Sequence, residues 1–320
     1  MPFQSGFVAI LGRPNAGKST LLNALVGEKV AIVSSHPQTT RNRILGIVSR
    51  PEAQIVISDT PGLHKPDSLL GRQMLDEIEA ALDGIHVLLV IVDATKSFST
   101  ADQRAFDRAE QFGGPRFLLL NKVDKMRKGK LLPMIAEYQK KLPFKEIIPV
   151  SALTGDGIGD VVKTLLRYLP EGPPYFPEEQ YTDQPERFLA SEIIREKVLA
   201  HTREEVPHAV AVLIEKYDEG PQRTSIHAVI YVDREGQKGI VIGKAGATMK
   251  TIGTEARLEL EKLLDRKVFL ELFVKVRPDW RDQTAVVRQL DWRRQMEEQS
   301  EDAQELTPDE LAEDADEEDL

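Results

Sequence analysis

Cysteine is absent from all 320 residues, and so are long hydrophobic runs. Without cysteine, neither a disulfide nor a thiolate metal site can form. No apolar run approaches the roughly 20 residues that span a bilayer, and no apolar segment stands at the N-terminus, so neither a transmembrane segment nor secretion is expected. A hydrophobic content of 41% still suffices for sizeable cores, and the length favours two domains. We therefore expect a soluble cytoplasmic protein.

Lysine and arginine are missing from residues 296–320, which contain thirteen Asp or Glu. Without those charges, the formal net charge of −10 becomes +3 for residues 1–295, so the overall acidity does not exclude a nucleic-acid partner. A segment of this composition cannot bury a core, and residues 291–320 are predicted to be a disordered acidic tail. Either the tail only keeps its own segment solvated, or it competes with a nucleic acid for basic surface.

A glycine-rich loop stands near the N-terminus between a predicted strand and a predicted helix. Its nine residues are Gly12, Arg13, Pro14, Asn15, Ala16, Gly17, Lys18, Ser19 and Thr20. At this spacing, backbone N–H groups surround a β-phosphate, Lys18 reaches the terminal phosphates and Ser19 ligates Mg²⁺. A chance glycine turn would explain the two glycines but not the adjoining Lys-Ser. The loop therefore predicts a nucleoside triphosphate site.

Two later stretches offer further groups to the same site. Residues 26–43 are predicted to be a mobile loop in which the hydroxyl of Thr40, or else that of Thr39, completes the Mg²⁺ shell when a γ-phosphate is present. The alternative is that Thr-Thr is only a solvated turn. The next strand pair ends in Asp59, Thr60, Pro61 and Gly62. Here the carboxylate can hold Mg²⁺ through water, and the Gly62 N–H can meet the γ-phosphate.

Short apolar runs over residues 87–92, 117–120 and 147–150 predict parallel strands buried on both faces. The last two runs lead into Asn121, Lys122, Val123 and Asp124, and into Ser151, Ala152 and Leu153. The Asp124 carboxylate can accept from both N1–H and the exocyclic amine of guanine, a donor pair that adenine lacks. Asn121 would brace the loops, the Lys122 stem would cover the base, and the Ala152 N–H would meet the guanine carbonyl oxygen. The predicted fold is α/β, a P-loop domain with a mostly parallel sheet and helices on both faces.

In this order, the motifs resemble those of the translation-factor-like class of GTPases over roughly residues 5–170. The resemblance implies GTP and GDP binding with slow hydrolysis, with Lys18 and Thr40 in the catalytic site. Leu63 stands where Ras-like members carry a water-orienting Gln, so no general base is assigned. The chain is similar here to GTPases that have a hydrophobic residue at that position and use K⁺. By that resemblance Asn15 is the candidate K⁺ ligand; the alternative is that it only stabilises the loop.

Prolines crowd residues 170–186, at positions 170, 173, 174, 177 and 185. Proline at this density predicts a semi-rigid linker over residues 171–185, which would separate domains of residues 1–170 and 186–290. Beyond it, periodicity predicts a helix over 186–203, strands over 208–217 and 224–232 joined by a turn over 218–223, a helix after residue 246 and a strand over 268–276.

The order of helix, strand, strand, short helix, Gly-x-x-Gly, helix and strand is similar to that of α+β type II KH domains. The predicted clamp for nucleic acid comprises Ile242, Gly243, Lys244, Ala245, Gly246 and Lys250. Because glycine lacks a side chain, the sugar-phosphate backbone can approach such a loop closely. The alternative is a simple corner between helices, surrounded by the ordinary surface charge of Arg234, Lys238, Arg277 and Arg281.

A GTPase domain followed by a KH domain resembles the Era family of bacterial GTPases over roughly residues 5–290. The strings PQTTR at residues 37–41 and VRPDWRD at residues 276–282 look like that family as well. The resemblance implies binding of small-subunit (16S) ribosomal RNA near its 3′ end, hydrolysis stimulated by RNA, a role in 30S subunit assembly and peripheral contact with the inner face of the cell membrane. The acidic tail departs from the family pattern.

A rival interpretation is a membrane-associated cell-cycle signalling GTPase whose second domain is a protein-interaction module. That function would need an amphipathic basic helix with a wide apolar face, and the sequence offers no clear one outside the domains. Nothing in the sequence requires more than a monomer.

Overall fold

The computed structural model of the protein describes residues 2–296, except residues 35, 37, 64, 204, 205 and 295 and the side chain of residue 128. Within those residues, a six-stranded sheet and a three-stranded sheet form successive halves of the chain. Most of the predicted acidic tail, from residue 297 onward, lies outside the described residues.

The first half is a six-stranded sheet whose strands are connected by helices on both faces. Its strands are β1 (Gln4–Leu11), β2 (Ile44–Arg50), β3 (Ala53–Asp59), β4 (Val87–Asp93), β5 (Arg116–Asn121) and β6 (Glu146–Pro149). Its helices are α1 (Lys18–Val26), α2 (Leu69–Leu82), α3 (Thr100–Gln111), α4 (Leu131–Gln139) and α5 (Ile158–Leu166). The strand order is β2-β3-β1-β4-β5-β6, and every pair except β2 with β3 is parallel.

Apolar residues on both faces of the central strands explain this layered arrangement. Every residue of β3 and β4 is buried, as expected for strands that helices cover on both sides. Alternate residues point to opposite faces of a strand: Val8 belongs to one core cluster, and its neighbour Ala9 belongs to the other. The carboxyl ends of the parallel strands therefore meet at one edge of the sheet, where the predicted GTP motifs follow.

The proline-rich segment lies against the first half of the chain. Residues 171–185, all of them described, contain no helix and only two isolated bridges to the sheet. The Ile47 N–H donates to Tyr181 O at 2.8 Å, and the Thr182 hydroxyl donates to Leu45 O at 2.7 Å. The segment therefore covers β2, an edge strand of the sheet.

A buried glutamine holds the same segment further upstream. Gln54 Oε1 accepts from Tyr175 N at 2.7 Å and from Phe176 N at 3.0 Å, and its Nε2 donates to Phe176 O at 2.8 Å. This side-chain amide uses its donor and acceptor like a backbone partner, so the segment is fixed on the sheet over most of its length.

The second half packs helices on a three-stranded sheet of order β7-β8-β9. Its strands are β7 (Ala211–Glu219), β8 (Arg223–Val232) and β9 (Lys267–Val276), and its helices are α6 (Glu186–His201), α7 (Val206–Ala209), α8 (Glu235–Ile242), α9 (Ala247–Leu264) and α10 (Thr284–Gln289). β7 is antiparallel to β8, and β9 is parallel to it. The predicted fold class, a P-loop α/β domain followed by an α+β type II KH domain, is confirmed.

Two differences from the sequence prediction have a cause in tertiary contacts. His208, predicted to begin a strand, lies in the short helix α7, and β7 begins at Ala211. The Trp280 indole donates to Ala209 O at 2.8 Å across 71 residues of chain, a contact that local alternation cannot reveal. The second difference is near the C-terminus. Trp292, predicted to lie in the tail, packs on Phe188 with their ring centroids 5.9 Å apart.

The two halves meet through an apolar cluster. Leu70 and Met74 of α2 pack with Trp280, Val286 and Val287 of the second half. Trp280 is fully buried, which gives a structural reason for the string at residues 276–282. The joint thus connects the helix after the Asp59 motif directly to the second half.

Candidate functional site

Glycine is required at two positions of the loop between β1 and α1. Gly17 has a φ of 103°, and a Cβ there would lie 2.2 Å from Asn121 Nδ2. A Cβ at Gly12 would lie 2.6 Å from Ile91 O. Because real Cβ atoms do not approach other atoms so closely, only glycine at these two positions lets the loop lie this near to Ile91 of β4 and Asn121 of β5.

Lys18 begins α1 and is buried in this loop. Its ammonium donates to Gly12 O and Arg13 O, both at 3.3 Å. Burial lowers the pKa of Lys18, against the attraction of Asp59, and burial raises the pKa of Asp59, against the attraction of Lys18. Burial thus disfavours the charged form of each side chain. A phosphate bound near Lys18 and a cation bound near Asp59 would compensate for the lost hydration.

The three predicted Mg²⁺ ligands converge. The Ser19 hydroxyl donates to Asp59 Oδ2 at 2.7 Å, the Thr40 hydroxyl donates to the same oxygen at 3.1 Å, and the two hydroxyl oxygens are 2.8 Å apart. Thr39 instead donates to His36 O at 2.8 Å, which favours Thr40 as the switch residue. Asp59 Oδ1 is buried and has no hydrogen-bond partner among the described residues. An all-oxygen set with one unsatisfied carboxylate oxygen fits a hard cation such as Mg²⁺.

The residues that follow Asp59 are held by packing. The Thr60 hydroxyl donates to Ile10 O at 2.7 Å, and Pro61 is buried beside it. A Cβ at Gly62 would lie 2.8 to 2.9 Å from atoms of Pro14. Leu63 is 8% exposed, within the cluster on one face of the sheet. Its side chain is a core group and offers nothing that orients water.

Asn121 joins the two stretches predicted to bind guanine to the phosphate loop. Asn121 Nδ2 donates to Ala16 O at 2.8 Å, and its Oδ1 accepts from Ala152 N at 3.0 Å. The exposed Asp124 carboxylate accepts from the Ser151 hydroxyl at 2.7 Å. The Ala152 amide, for which we expected the guanine carbonyl oxygen, thus donates to Asn121 here. Val123 starts a 3₁₀ turn, and Leu153 is 73% exposed.

Sequence reasoning missed Asp93. Lys122 Nζ donates to Asn15 O at 2.8 Å and to Asp93 Oδ2 at 2.7 Å. Burial would raise the pKa of Asp93, but hydrogen bonds from Lys122 and Thr95 outweigh it and lower this pKa. Asp93 is the last residue of β4, which lies beside β5. The argument applied to Asp59, that an Asp at the carboxyl end of a buried strand lies near the site, could therefore have identified Asp93 from the sequence.

Arg13 and Asn15 make contacts outside the phosphate loop that the motif does not indicate. The Arg13 guanidinium pairs with Asp102 of α3 at 3.3 Å and lies 4.0 Å from Asp93, so it faces α3. Asn15 has a φ of 61°, in the left-handed region, and its carbonyl accepts from Lys122. Thr20, the last residue of the motif, lies half-buried in α1.

The loop that carries Thr40 is anchored in the second half on both sides of that residue. Thr39 O accepts a short hydrogen bond from the Arg195 guanidinium. Arg41 donates to Val210 O at 2.8 Å and stacks over the Trp280 ring at 5.4 Å. Ile32, earlier in the loop, belongs to the apolar core of the second half. No sequence signal indicated these contacts, because the partners lie more than 150 residues away.

Little space separates this loop from the phosphate loop. The cavity between them measures about 50 Å³ and is lined by Lys18, Ser19, Thr39, Thr40 and Gly62, among others.

The Gly-x-x-Gly segment joins α8 to α9 as predicted. Gly243 and Gly246 have φ values of 73° and 78°, with Ala245 at 51° between them. Lys244 and Lys250 are exposed, and Ile242 ends α8 half-buried. A Cβ at Gly243 would lie 2.2 Å from Thr248 Oγ1, whereas one at Gly246 would meet open space. The second glycine therefore leaves room for another molecule.

Two of the neighbouring arginines are held by contacts within the second half. Arg277 donates to Gln283 Oε1 at 2.6 Å and lies over the Tyr231 ring, and Arg281 lies 3.7 Å from an Asp233 oxygen. For Arg277 and Arg281, these contacts are a sufficient reason for the positive charge at their positions.

Among the described residues, none of the helices has the length and hydrophobicity to cross a membrane.

Comparison with known proteins agrees with this division of the chain. The family model of the 50S ribosome-binding GTPase matches residues 7–122, and that of the KH domain matches residues 205–281. The GTPase Era of Geobacter metallireducens is 50% identical over 291 residues, which cover 90% of this chain and 98% of the relative. The GTPase Era of Ruminiclostridium cellulolyticum is 46% identical over 294 residues, with coverage of 92% and 99%.

Solved structures extend the similarity to three dimensions. A crystal structure of Era in complex with MgGDPNP and nucleotides 1506-1542 of 16S ribosomal RNA has a TM-score of 0.87 and 45% identity, covering 91% of this chain and 99% of that one. A variant of Aquifex aeolicus Era bound to GDP·AlF4⁻ has the same TM-score, identity and coverage. With both halves, their order and the GTP motifs matched over nine-tenths of its length, the chain belongs to the Era family of GTPases.

Proposed function

We propose that this GTPase binds small-subunit ribosomal RNA near its 3′ end through residues 242–250 and assists 30S subunit assembly. The relative solved with a 16S ribosomal RNA fragment supports the choice of partner. The observation that carries the proposal is the anchoring of the Thr40 loop in the second half, through Arg195 to Thr39 O and through Arg41 to Val210 O. One loop thereby belongs to both the nucleotide site and the RNA-binding half.

GTP or GDP with Mg²⁺ would occupy the first half. Ser19, Thr40 and Asp59 would hold the Mg²⁺, which neutralises phosphate charge, and Lys18 would pair with the terminal phosphates. Asn121 and Asp124 would select guanine. Because Leu63 is a core residue, hydrolysis rests on positioning and charge rather than on a general base. K⁺ at Asn15 is proposed as an additional positive charge.

The nucleotide would act as a switch through the loop that it displaces. The loop places the Thr40 hydroxyl against Ser19 and Asp59, so Mg²⁺ and GTP arriving at these residues would move it. Because Thr39 and Arg41 are bonded to the second half, that movement would change how the second half faces the first and how the clamp meets RNA. Hydrolysis would then release the RNA.

Four hydrolysis rates test the proposal. GTP hydrolysis is measured in KCl and in NaCl at equal ionic strength, each with and without an oligonucleotide of the 16S ribosomal RNA 3′ end. We expect RNA to raise the rate and K⁺ to raise it further. A rate that RNA leaves unchanged would contradict the coupling between the RNA-binding half and GTP hydrolysis. A rate that is equal in both salts would contradict K⁺ binding at Asn15.

A pair of substitutions tests the clamp itself. Gly246 has a left-handed φ and open space around it, and both Asp and Asn tolerate this conformation. Gly246→Asp places a negative charge against the RNA backbone, so RNA binding should fall at least tenfold. Gly246→Asn is the neutral isostere and should retain most of the affinity. Equal affinities for the two variants, measured by fluorescence anisotropy, would show that RNA does not approach this loop.

A further inference from the structure

Two consecutive side chains of α6 hold the Thr40 loop at two points. The Arg195 guanidinium donates to Thr39 O, and Glu196 Oε1 accepts from the Val33 amide at 2.9 Å. Consecutive residues of a helix point about 100° apart, so one turn of α6 reaches two separate places on the loop. Val33 and Thr39 both line the nucleotide cavity, and α6 therefore holds part of the wall of that cavity.

Both side chains are buried and fixed by neighbouring charges. Arg195 is 2% exposed, and the two oxygens of Glu192 accept from it at 2.8 and 2.6 Å. Glu196 is 8% exposed, and its Oε2 accepts from Lys29 at 2.6 Å and from Lys197 at 3.1 Å, which leaves Oε1 for the loop. Hydrogen bonds to ionised groups are stronger than neutral ones, so α6 holds the loop firmly at both points.

The first half of the chain fixes the loop just outside these two points. Asn23 of α1 accepts from the Val30 amide at 3.1 Å, and the Thr40 hydroxyl donates to Asp59 Oδ2 at 3.1 Å. Between them, Ile32 packs in the apolar core of the second half, next to the bond between α6 and the Val33 amide. The path of the loop beside the phosphate site is therefore shared between the two halves.

The order that α6 imposes on the loop should favour GTP over GDP. Ordering a free loop upon binding costs free energy, and a loop that is already held near its bound position avoids part of that cost. If Thr40 ligates Mg²⁺ only when a γ-phosphate is present, as proposed above, only the GTP complex requires the ordered loop. Holding the loop therefore strengthens the binding of Mg²⁺ with GTP and leaves the binding of GDP nearly unchanged.

We propose that Arg195 and Glu196 are positioning residues that set the preference of the nucleotide site for GTP over GDP. They act through the backbone of the Thr40 loop rather than on the phosphates themselves. This role depends on the proposed Mg²⁺ ligation by Thr40 and is independent of the RNA partner. It makes α6, the first helix of the second half, a supporting element of the GTP site.

The test compares Glu196→Ala with Glu259→Ala in the full-length chain without RNA. Glu259 pairs with the same two lysines, Lys29 and Lys197, and within the described residues no hydrogen bond joins it to the loop. Affinities for fluorescent GDPNP and fluorescent GDP are measured in the presence of Mg²⁺. Because Glu196→Ala leaves the Val33 amide without its acceptor, it should weaken GDPNP binding about tenfold and GDP binding by less than about twofold. Glu259→Ala should leave both affinities near the parental values.

A second pair of variants tests the other point of contact. Arg195→Met removes the donor to Thr39 O and keeps an aliphatic side chain. Arg187→Met is its control, because Arg187 also lies on α6 but donates to Ile214 O of the second half, at 2.6 Å. Arg195→Met should weaken GDPNP binding as Glu196→Ala does, and Arg187→Met should not. Retained GDP binding shows that the nucleotide site is folded in each variant.

Thr40→Val separates the role of α6 from that of Thr40, because it removes the hydroxyl and keeps the shape of the side chain. If Thr40→Val weakens GDPNP binding but Glu196→Ala and Arg195→Met do not, the role assigned to α6 alone is wrong. Equal losses of GDPNP and GDP affinity in the two α6 variants would mean general destabilisation and would also overturn that role. If Thr40→Val leaves GDPNP binding unchanged, Thr40 is not a Mg²⁺ ligand, and both roles are wrong.

Discussion

Asp93 links the base-binding end of the nucleotide site to the phosphate loop. Its carboxylate accepts from Lys122, and the same ammonium donates to Asn15 O. A second contact runs through Arg13, 4.0 Å from the same oxygen. Asp93 is therefore a positioning residue for two loop residues that reach the nucleotide from different sides.

We predict that Asp93→Asn accelerates GDP release about tenfold. The substitution replaces the ion pair with Lys122 by an ion–dipole hydrogen bond, and hydrogen bonds to charged groups contribute about 1.5–3 kcal/mol. Stopped-flow release of a fluorescent GDP analogue measures the rate. Asp107→Asn, on the exposed side of α3, is the matched control and should release GDP at the parental rate; equal rates for the two variants would contradict the role of Asp93.

Individual site residues could be predicted where a strand end fixed their place. Lys18, Ser19, Asp59 and Asn121 all follow parallel strands, so their convergence was a consequence of topology. Thr40 was preferred to Thr39 from the sequence, but the reason is visible only in the structure, where Thr40 reaches Asp59 and Thr39 donates to His36 O. Arg195 was unpredictable, since its bond to Thr39 O depends on the packing of the two halves.

At the scale of elements, an ion cluster joins the segment after α1 to two helices of the second half. Lys29 lies 2.6 Å from a Glu196 oxygen and also bonds to Glu259 of α9, and Lys197 pairs with both glutamates. Burial would raise the pKa of Glu259, but hydrogen bonds from Lys197 and Lys29 outweigh it and hold this pKa below its ordinary value of 4.5.

The stabilisation from this cluster should depend on pH. Because the folded state lowers the pKa of Glu259, its contribution is present above about pH 5 and is lost as pH falls through the folded-state value. We predict that Glu259→Gln lowers the free energy of unfolding by about 0.5–1 kcal/mol at pH 7, a modest value because solvent screens the cluster, and that this loss is smaller at pH 3.

Urea unfolding at both pH values provides the measurement. Glu110→Gln, exposed on α3, controls for the loss of a negative charge and should match the parent at both. A Glu259→Gln effect of equal size at pH 3 and pH 7 would mean that packing, and not charge, is lost.

Periodicity predicted most elements of both halves but not their exact ends. The buried runs of β4 and β5 were recognisable because apolar residues are continuous there, and the hairpin of β7 and β8 because polar residues separate two alternating runs. The helix α7 was missed, since its formation depends on Trp280 from a distant segment. Local pattern thus identifies an element, and tertiary contact sets its boundary.

For the whole molecule, Trp280 is the centre of the joint between the halves. It packs with Leu70 and Met74 of α2, lies under Arg41 and donates to Ala209 O. It thus touches the helix after the Asp59 motif and the residue after Thr40. In the proposed switch, Trp280 is therefore one route from either segment to the second half.

We predict that Trp280→Phe reduces the stimulation of GTP hydrolysis by RNA several-fold while the rate without RNA stays near the parental value. The variant keeps an aromatic ring but leaves Ala209 O without its donor, at a cost of about 1–3 kcal/mol at the joint. The ratio of rates with and without RNA is the measurement.

Phe144→Leu is the control for this variant, since Phe144 packs with Phe106 in the first half. It should preserve the ratio. Unchanged stimulation in Trp280→Phe would show that the halves communicate through the Thr40 loop alone.

The proline-rich segment also bears on solubility. An uncovered edge strand exposes backbone N–H and C=O groups that can pair with the same strand of another molecule. In this chain Tyr181 O and Thr182 occupy such groups on β2, and proline nearby cannot extend the pairing. The segment predicted to be a linker therefore also covers this edge, and we expect a glycine-serine replacement of equal length to preserve the spacing while making the protein prone to aggregate.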